Sequence, residues 1–148
     1  MSGYVYDTNC LVALASADQQ HHAATSRDRL RRQARGEAMV IAMHCAEEAY
    51  SVLTRSPPPL RCRPADAWVW IQAWTRQARL VDLNPQERLN MLRNGSELSI
   101  VGGQIHDFLI AACARKAGAR TLVTWNLRHF VRWAGADLEI MNPLGERA

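Results

Sequence analysis

The order of apolar runs along the chain predicts an α/β fold with a central, mostly parallel sheet. Two observations carry this. Strand-prone and helix-prone segments alternate four or five times, and one strand segment, "AMVIAM" at 38–43, is apolar without a break, as in a strand covered on both faces. Hydrophobic residues make up 48% and charged residues 22% of the 148, a globular composition that excludes disorder. A chain of this length holds one core. With no internal repeat and no dividing linker, residues 1–148 read as a single domain.

The elements follow in order. The first strand, Tyr4-Val5-Tyr6, stops at Asp7. Thr8 and Asn9 come next, then a helix-prone run from Leu11 to Ala17. An Arg-rich polar helix covers 21–36, with Gly36 as its C-cap. After the 38–43 strand a helix spans 44–55, until Ser56 and the prolines Pro57, Pro58 and Pro59 break it. Pro64 opens a helix over 64–78, and 79–83 is a strand. Asn84 caps a helix over 85–95 with Pro85 at its first position, and 96–103 is a loop. A strongly apolar helix over 104–118 ends at Gly118, a strand spans 120–125, and 136–141 forms a last short strand.

Net charge is +4, and of the 18 Lys and Arg residues only Lys116 is lysine. Guanidinium groups pair bidentately with phosphate oxygens, so this bias suits nucleic acid, and it equally suits a GC-rich genome. Arg27, Arg29, Arg31, Arg32 and Arg35 read as a solvated basic face. Cys10, Cys45, Cys62 and Cys113 show neither a CxxC nor a Cys/His spacing; they read as small buried hydrophobes in a reducing compartment. The run from Leu11 to Ala17 is too short to span a bilayer and lacks the flanks of a signal peptide. The expected location is cytoplasmic, away from membranes.

Four polar residues fall where chemistry is expected. Asp7 ends the first strand, and sites of parallel sheets form outside the carboxyl ends of strands. Helix N-capping also suits an Asp there, although Thr8 and Asn9 can serve that role. On the 44–55 helix, Cys45, Ala49, Val52 and Leu53 mark the apolar stripe. Glu47 faces away from it, and Glu48 is expected half-buried at its border. Asp107 is the one acid in the apolar helix and lies in its first turn, which suits either the helix dipole or a pocket. Asn126 follows the 120–125 strand, where a turn residue is equally at home. Three carboxylates so placed repel one another unless a cation neutralises them, and an all-oxygen set selects Mg²⁺ or Mn²⁺ over Zn²⁺. His21, His22, His44, His106 and His129 have no zinc spacing and read as structural or solvent-facing.

The stretches "YVYDTN", "CAEEAYSVLTR", "IHDFLIAACARKAGARTLVTWN" and "NLRHF" together resemble the PIN-domain ribonucleases, and within them the VapC-like toxins of toxin–antitoxin pairs. The resemblance implies a PIN-like α/β/α sandwich and a Mg²⁺- or Mn²⁺-dependent endoribonuclease. Its acidic quartet falls on Asp7, Glu48, Asp107 and Asn126. Asp7, Asp107 and Glu48 are then the metal ligands, and Thr8, Asn9 and Thr124 hydrogen-bond behind them. The family's fourth position is often Asp; Asn126 removes one negative charge and weakens the case for a second metal. Cleavage is expected to leave a 5′-phosphate and a 3′-hydroxyl, in tRNA or another structured RNA.

Arg128, beside Asn126, and Arg132 are the expected phosphate contacts. The partners implied are RNA, a small antitoxin and a second copy of the chain in a homodimer. In the 64–78 helix, Ala67, Trp70, Ile71, Trp74 and Ala78 form the core stripe. Trp68 lies off it and, with the proline loop, offers an apolar face to a partner. A phosphoaspartyl enzyme also places Asp after the first strand, but the dehalogenase type needs an acid where Asn9 stands. Lys116, the sole lysine, lies at the far end of its helix. The remaining alternative is a catalytically weak or inactive PIN-like module that binds RNA or a partner.

Overall fold

A computed structural model describes residues 2–148. Strands β1 (Gly3–Tyr6), β2 (Ala38–Ala42), β3 (Arg79–Val81), β4 (Ala119–Val123) and β5 (Glu139–Met141) form one sheet in the order β3-β2-β1-β4-β5. Every neighbouring pair is parallel. Around it lie α1 (Thr8–Ala15), α2 (His22–Ala34), α3 (Met43–Arg55), α4 (Pro64–Gln77), α5 (Pro85–Glu97), α6 (Gln104–Lys116) and α7 (Leu127–Phe130), followed by a 3₁₀ turn at Val131–Trp133. Helix α6 packs across β2, β3 and β4 with α5 against it, while α1 joins α2 and α3, and α3 joins α4. The chain moves outward from β1 to β3 and returns to β4 on the other side of β1. That reversal opens a crevice at the carboxyl ends of β1 and β4.

Local chemistry sets most boundaries. Asn84 accepts the Glu87 amide at 2.8 Å and caps α5. Gly36 and Gly118 sit at φ 73° and 69° just past α2 and α6, where a side chain would be strained. Several boundaries differ from the sequence reading; strands β3 and β5, for instance, are shorter than the expected 79–83 and 136–141. Helix α1 begins at Thr8 and stops at Ala15. Strand β4 stops at Val123, so Thr124 and Trp125 lie outside it. Helix α5 runs through Gly95 to Glu97, into the expected loop. Gly95 does not end the helix because its task is close packing: a Cβ there would stand 3.0 Å from Ile105 Cδ1 on α6.

Trp74, Tyr6, Phe130, Leu11 and Ile41 are among the largest fully buried side chains. Cys10, Cys45 and Cys113 are buried, Cys62 is partly so, and all four are free. Among the described residues no helix is long and apolar enough to cross a membrane. Of the five arginines read as a solvated basic face, Arg27, Arg31 and Arg35 are exposed and Arg29 is half-buried, while Arg32 departs from that reading. Arg32 is buried, and its guanidinium donates to Asp28 at 2.9 Å and to Glu37 at 2.7 Å. Arg31 also donates to Asp28, at 2.8 Å. Asp28, 1% exposed, accepts in addition the Tyr6 hydroxyl at 2.7 Å. Burial first, and then the Asp28 charge, push the Tyr6 phenol far above its ordinary range. The cluster ties α2 to the central strand β1.

Asp28→Ala leaves the buried Arg32 guanidinium with Glu37 alone as its carboxylate partner and strands a buried phenol. It should cost about 3–5 kcal/mol, roughly 10 °C in melting temperature for a chain of this size. Adding Tyr6→Phe should cost less than the sum of the two single changes, because both act on one network. Denaturant unfolding of the two single variants and the double variant measures this.

Candidate functional site

Asp7 occupies the joint between β1 and α1 at 6% exposure. Its amide donates to Val123 O at 2.9 Å, which anchors the joint to β4. Its carboxylate accepts the Thr8 amide and the Thr124 hydroxyl, both at 2.7 Å. Asp7 is therefore the N-cap of α1, and neither Thr8 nor Asn9 takes that place: the strand ends one residue too early for them. Thr124, fully buried, is itself held by the Asn126 amide at 3.0 Å and by Asn9 Nδ2 at 3.4 Å. Asn9 also accepts the Trp125 amide at 3.2 Å. Of the three expected supporting residues, Thr124 and Asn9 bond through their side chains. Thr8 contributes its amide, and its buried hydroxyl has no hydrogen-bond partner among the described residues.

Burial above all pushes the Asp7 carboxyl up to about 6; the Thr124 and Thr8 hydrogen bonds pull it down, and the charges of Asp107 and Glu48 push it further up. Asp107, in the first turn of α6, is also raised, by burial first; His129 opposes this and Glu48 adds to it. The three acids thus lie in one another's field. Glu47 is exposed. Glu48 is more exposed than expected, at 44% of its side chain. What separates the two is neighbours: Glu48 meets His44 Nε2 at 3.0 Å.

Three histidines gather at this rim, which the sequence reading did not anticipate. His44 stacks on His106 with ring centroids 5.0 Å apart, and His129 Nδ1 lies 3.7 Å from Asp107 Oδ2. The signal was present as spacing from the acids: His44 stands one helical turn before Glu48, and His106 adjoins Asp107. Asn126 is exposed at the start of α7, and Arg128 is exposed beside it. Arg132 is committed elsewhere; it donates to Leu98 O at 2.9 Å and covers the Trp133 ring.

Among the described residues no three His, Cys, Asp or Glu side chains stand close enough to hold a metal ion directly. The donors are nonetheless carboxylates whose mutual repulsion a cation relieves. They fit a hard ion that keeps several waters, as Mg²⁺ does, better than a closed cage.

The PIN domain family model matches residues 4–135. The chain is 34% identical over 122 residues to Ribonuclease VapC40 of Mycobacterium tuberculosis, covering 82% of this chain and 85% of that protein. In three dimensions it resembles VapBC2 from Rickettsia felis bound to a DNA fragment from their promoter, with a TM-score of 0.65, 19% identity, and 95% and 98% of the two chains covered. It also resembles Mycobacterium tuberculosis VapC20, described as a Sarcin-Ricin loop cleaving toxin, with a TM-score of 0.62, 16% identity, and 80% and 86% covered. These structural likenesses bear on the fold alone.

Asp7 ionises less readily folded, at about 6, than at its ordinary 3.8. The folded state therefore binds that proton more tightly, and stability falls as pH rises through this window. Asp107→Asn removes one charge from the Asp7 field, so Asp7 should titrate lower. In EDTA at pH 7.5 the variant should be more stable than wild type by roughly 1 kcal/mol, about 2–4 °C. The gap should close toward about pH 4, where Asp7 is protonated in both proteins. Thermal melts at the two pH values test this; a variant melting lower at pH 7.5 makes Asp107 a dipole partner of α6.

Proposed function

The chain belongs to the PIN-domain family, in its VapC ribonuclease branch, and from that membership we propose that residues 1–148 form one endoribonuclease domain, dependent on Mg²⁺ or Mn²⁺, that acts in the cytoplasm as the toxin of a toxin–antitoxin pair. The observation that carries the proposal is the field shared by Asp7, Asp107 and Glu48 at the reversal point of the parallel sheet. The substrate proposed is tRNA or another structured RNA, cut to leave a 5′-phosphate and a 3′-hydroxyl.

In this reading Asp7, Asp107 and Glu48 hold the divalent ion, and Asn126 completes the set. Bound there, such an ion supplies positive charge to a phosphate oxygen and lowers the pKa of a bound water. The chain supplies orientation. Thr124 and the Thr8 amide fix both oxygens of Asp7, and His44 steers Glu48. Arg128 meets a substrate phosphate. Arg132 is less free to do so, because it already bonds Leu98. The antitoxin, or a second copy of the chain, covers the exposed Trp68 and Val69 of α4, which are 54% and 61% exposed.

The lack of a tight three-ligand cluster among the described residues favours a second reading, a weakly active or inactive PIN-like module that binds RNA or a partner. Purified protein incubated with total tRNA separates the two. Cleavage abolished by EDTA supports the nuclease, and intact tRNA with Mg²⁺ or Mn²⁺ present supports the binding module. Thr124→Val removes the hydroxyl that orients Asp7 and should lower cleavage about 10- to 100-fold. Glu47→Gln should leave the rate unchanged, since that carboxylate stands apart from the cluster. Initial rates for the three proteins at one metal concentration check this.

A further inference from the structure

A cleft of about 740 Å³ lies beside the acid cluster, lined in part by Trp125, Asn126, Arg128, His129, Asn142 and Glu146. Its size falls in the range that holds a small organic ligand. Two of its walls connect to the carboxylates: His129 reaches toward Asp107 at 3.7 Å, and the Asn126 amide bonds the Thr124 hydroxyl that holds Asp7. A group seated here is therefore adjacent to any phosphate at the acids.

The lining is built for a flat, partly polar ring. Trp125 is locked in place: its indole N–H donates to Thr25 at 3.0 Å, and His21, which does not line the cleft, stacks on it at 3.8 Å with planes 10° apart. The C-terminal turn adds a carboxylate to the same lining. Asn142, 6% exposed, accepts the Leu144 and Glu146 amides and donates from Nδ2 to Glu146 Oε2 at 2.7 Å. Glu146 Oε1 has no hydrogen-bond partner or ion pair among the described residues. Arg128 adds the one cation of the wall.

An aromatic platform, a guanidinium and an oriented acceptor together match one nucleotide. Unpaired bases stack on aromatic side chains, a carboxylate accepts from an exocyclic amino group, and arginine pairs with phosphate. We propose that this cleft seats one unpaired nucleobase next to the scissile phosphate and prefers a base bearing an amino group over uracil. The proposal rests on the ribonuclease reading of the acid cluster and names the part of the substrate that reading leaves open. Glu146 is the specificity-determining residue, because cytosine offers a donor where uracil offers a carbonyl.

Binding of labelled hexaribonucleotides rC6 and rU6, followed by fluorescence anisotropy in EDTA, tests it without cleavage. The wild type should bind rC6 about tenfold or more tighter than rU6. Glu146→Gln, at an exposed position, keeps its oxygen on Asn142 Nδ2 and turns a donor toward the base, so it should erase that ratio or reverse it toward rU6. Trp125→Ala should weaken rC6 about tenfold, and Trp125→Phe should restore most of the loss. Equal binding of rC6 and rU6 by wild type, or a ratio that survives Glu146→Gln, overturns the proposal even if tRNA is cleaved. A preserved ratio in a protein that cuts no RNA keeps the cleft and refutes the nuclease reading.

Discussion

Ionising Asp7 where it stands is expensive. A rise from 3.8 to about 6 corresponds to roughly 3 kcal/mol between its two protonation states. This is a large share of the marginal stability of a small domain. The rest of the fold is arranged around that cost. The Asp7 amide is tied to β4 through Val123 O, and its carboxylate to Thr124 just beyond the same strand. The pairing of β1 with β4 and the start of α1 thus meet at one residue. Moving β4 by a single register position would remove the hydroxyl and leave the carboxylate with the Thr8 amide alone.

The chain contains a second buried acid, and the contrast shows what burial alone does not say. Asp28 is met by two guanidiniums and a phenol, so its charge is answered within the protein. Asp7 is met by an amide and a hydroxyl, which orient it without neutralising it, and the charged groups acting on it are two further acids. A neutralised acid is a structural tie; an oriented, unneutralised one is available to an external cation. Both sit in the core, and only their partners distinguish them.

Where reading the sequence succeeded and failed follows from the range of the forces involved. The alternation of strand and helix, the Asn84 cap and the glycines after α2 and α6 depend on a few adjacent residues, and each was legible. Asp7 and Asp107 stood out because an acid interrupts an otherwise apolar run. Asp28 was lost inside a polar, arginine-rich stretch, since its burial depends on Tyr6, twenty-two residues away. Gly95 looked like a helix terminator because the Ile105 side chain that requires it belongs to another helix. The histidine rim needed the spatial meeting of α3, α6 and α7; local spacing placed His44 and His106 beside acids but could not bring the three histidines together. Helix α7 is four residues long, too short for any periodic signal.

Asn126 is explained by the same electrostatics. The field at Asp7 already includes Asp107 and Glu48, and both push its carboxyl upward. A fourth carboxylate on the exposed rim at 126 would add to that repulsion and destabilise the metal-free fold further, while strengthening attraction for a divalent ion. An amide offers a neutral oxygen at the same place with no such cost. It also leaves the neighbouring cleft less negative, where Glu146 already supplies an acid and Arg128 a cation. Under the nuclease reading proposed above, reduced charge at 126 favours approach of a polyanionic strand at the expense of metal affinity. The two requirements oppose each other at one position, and Asn satisfies the first.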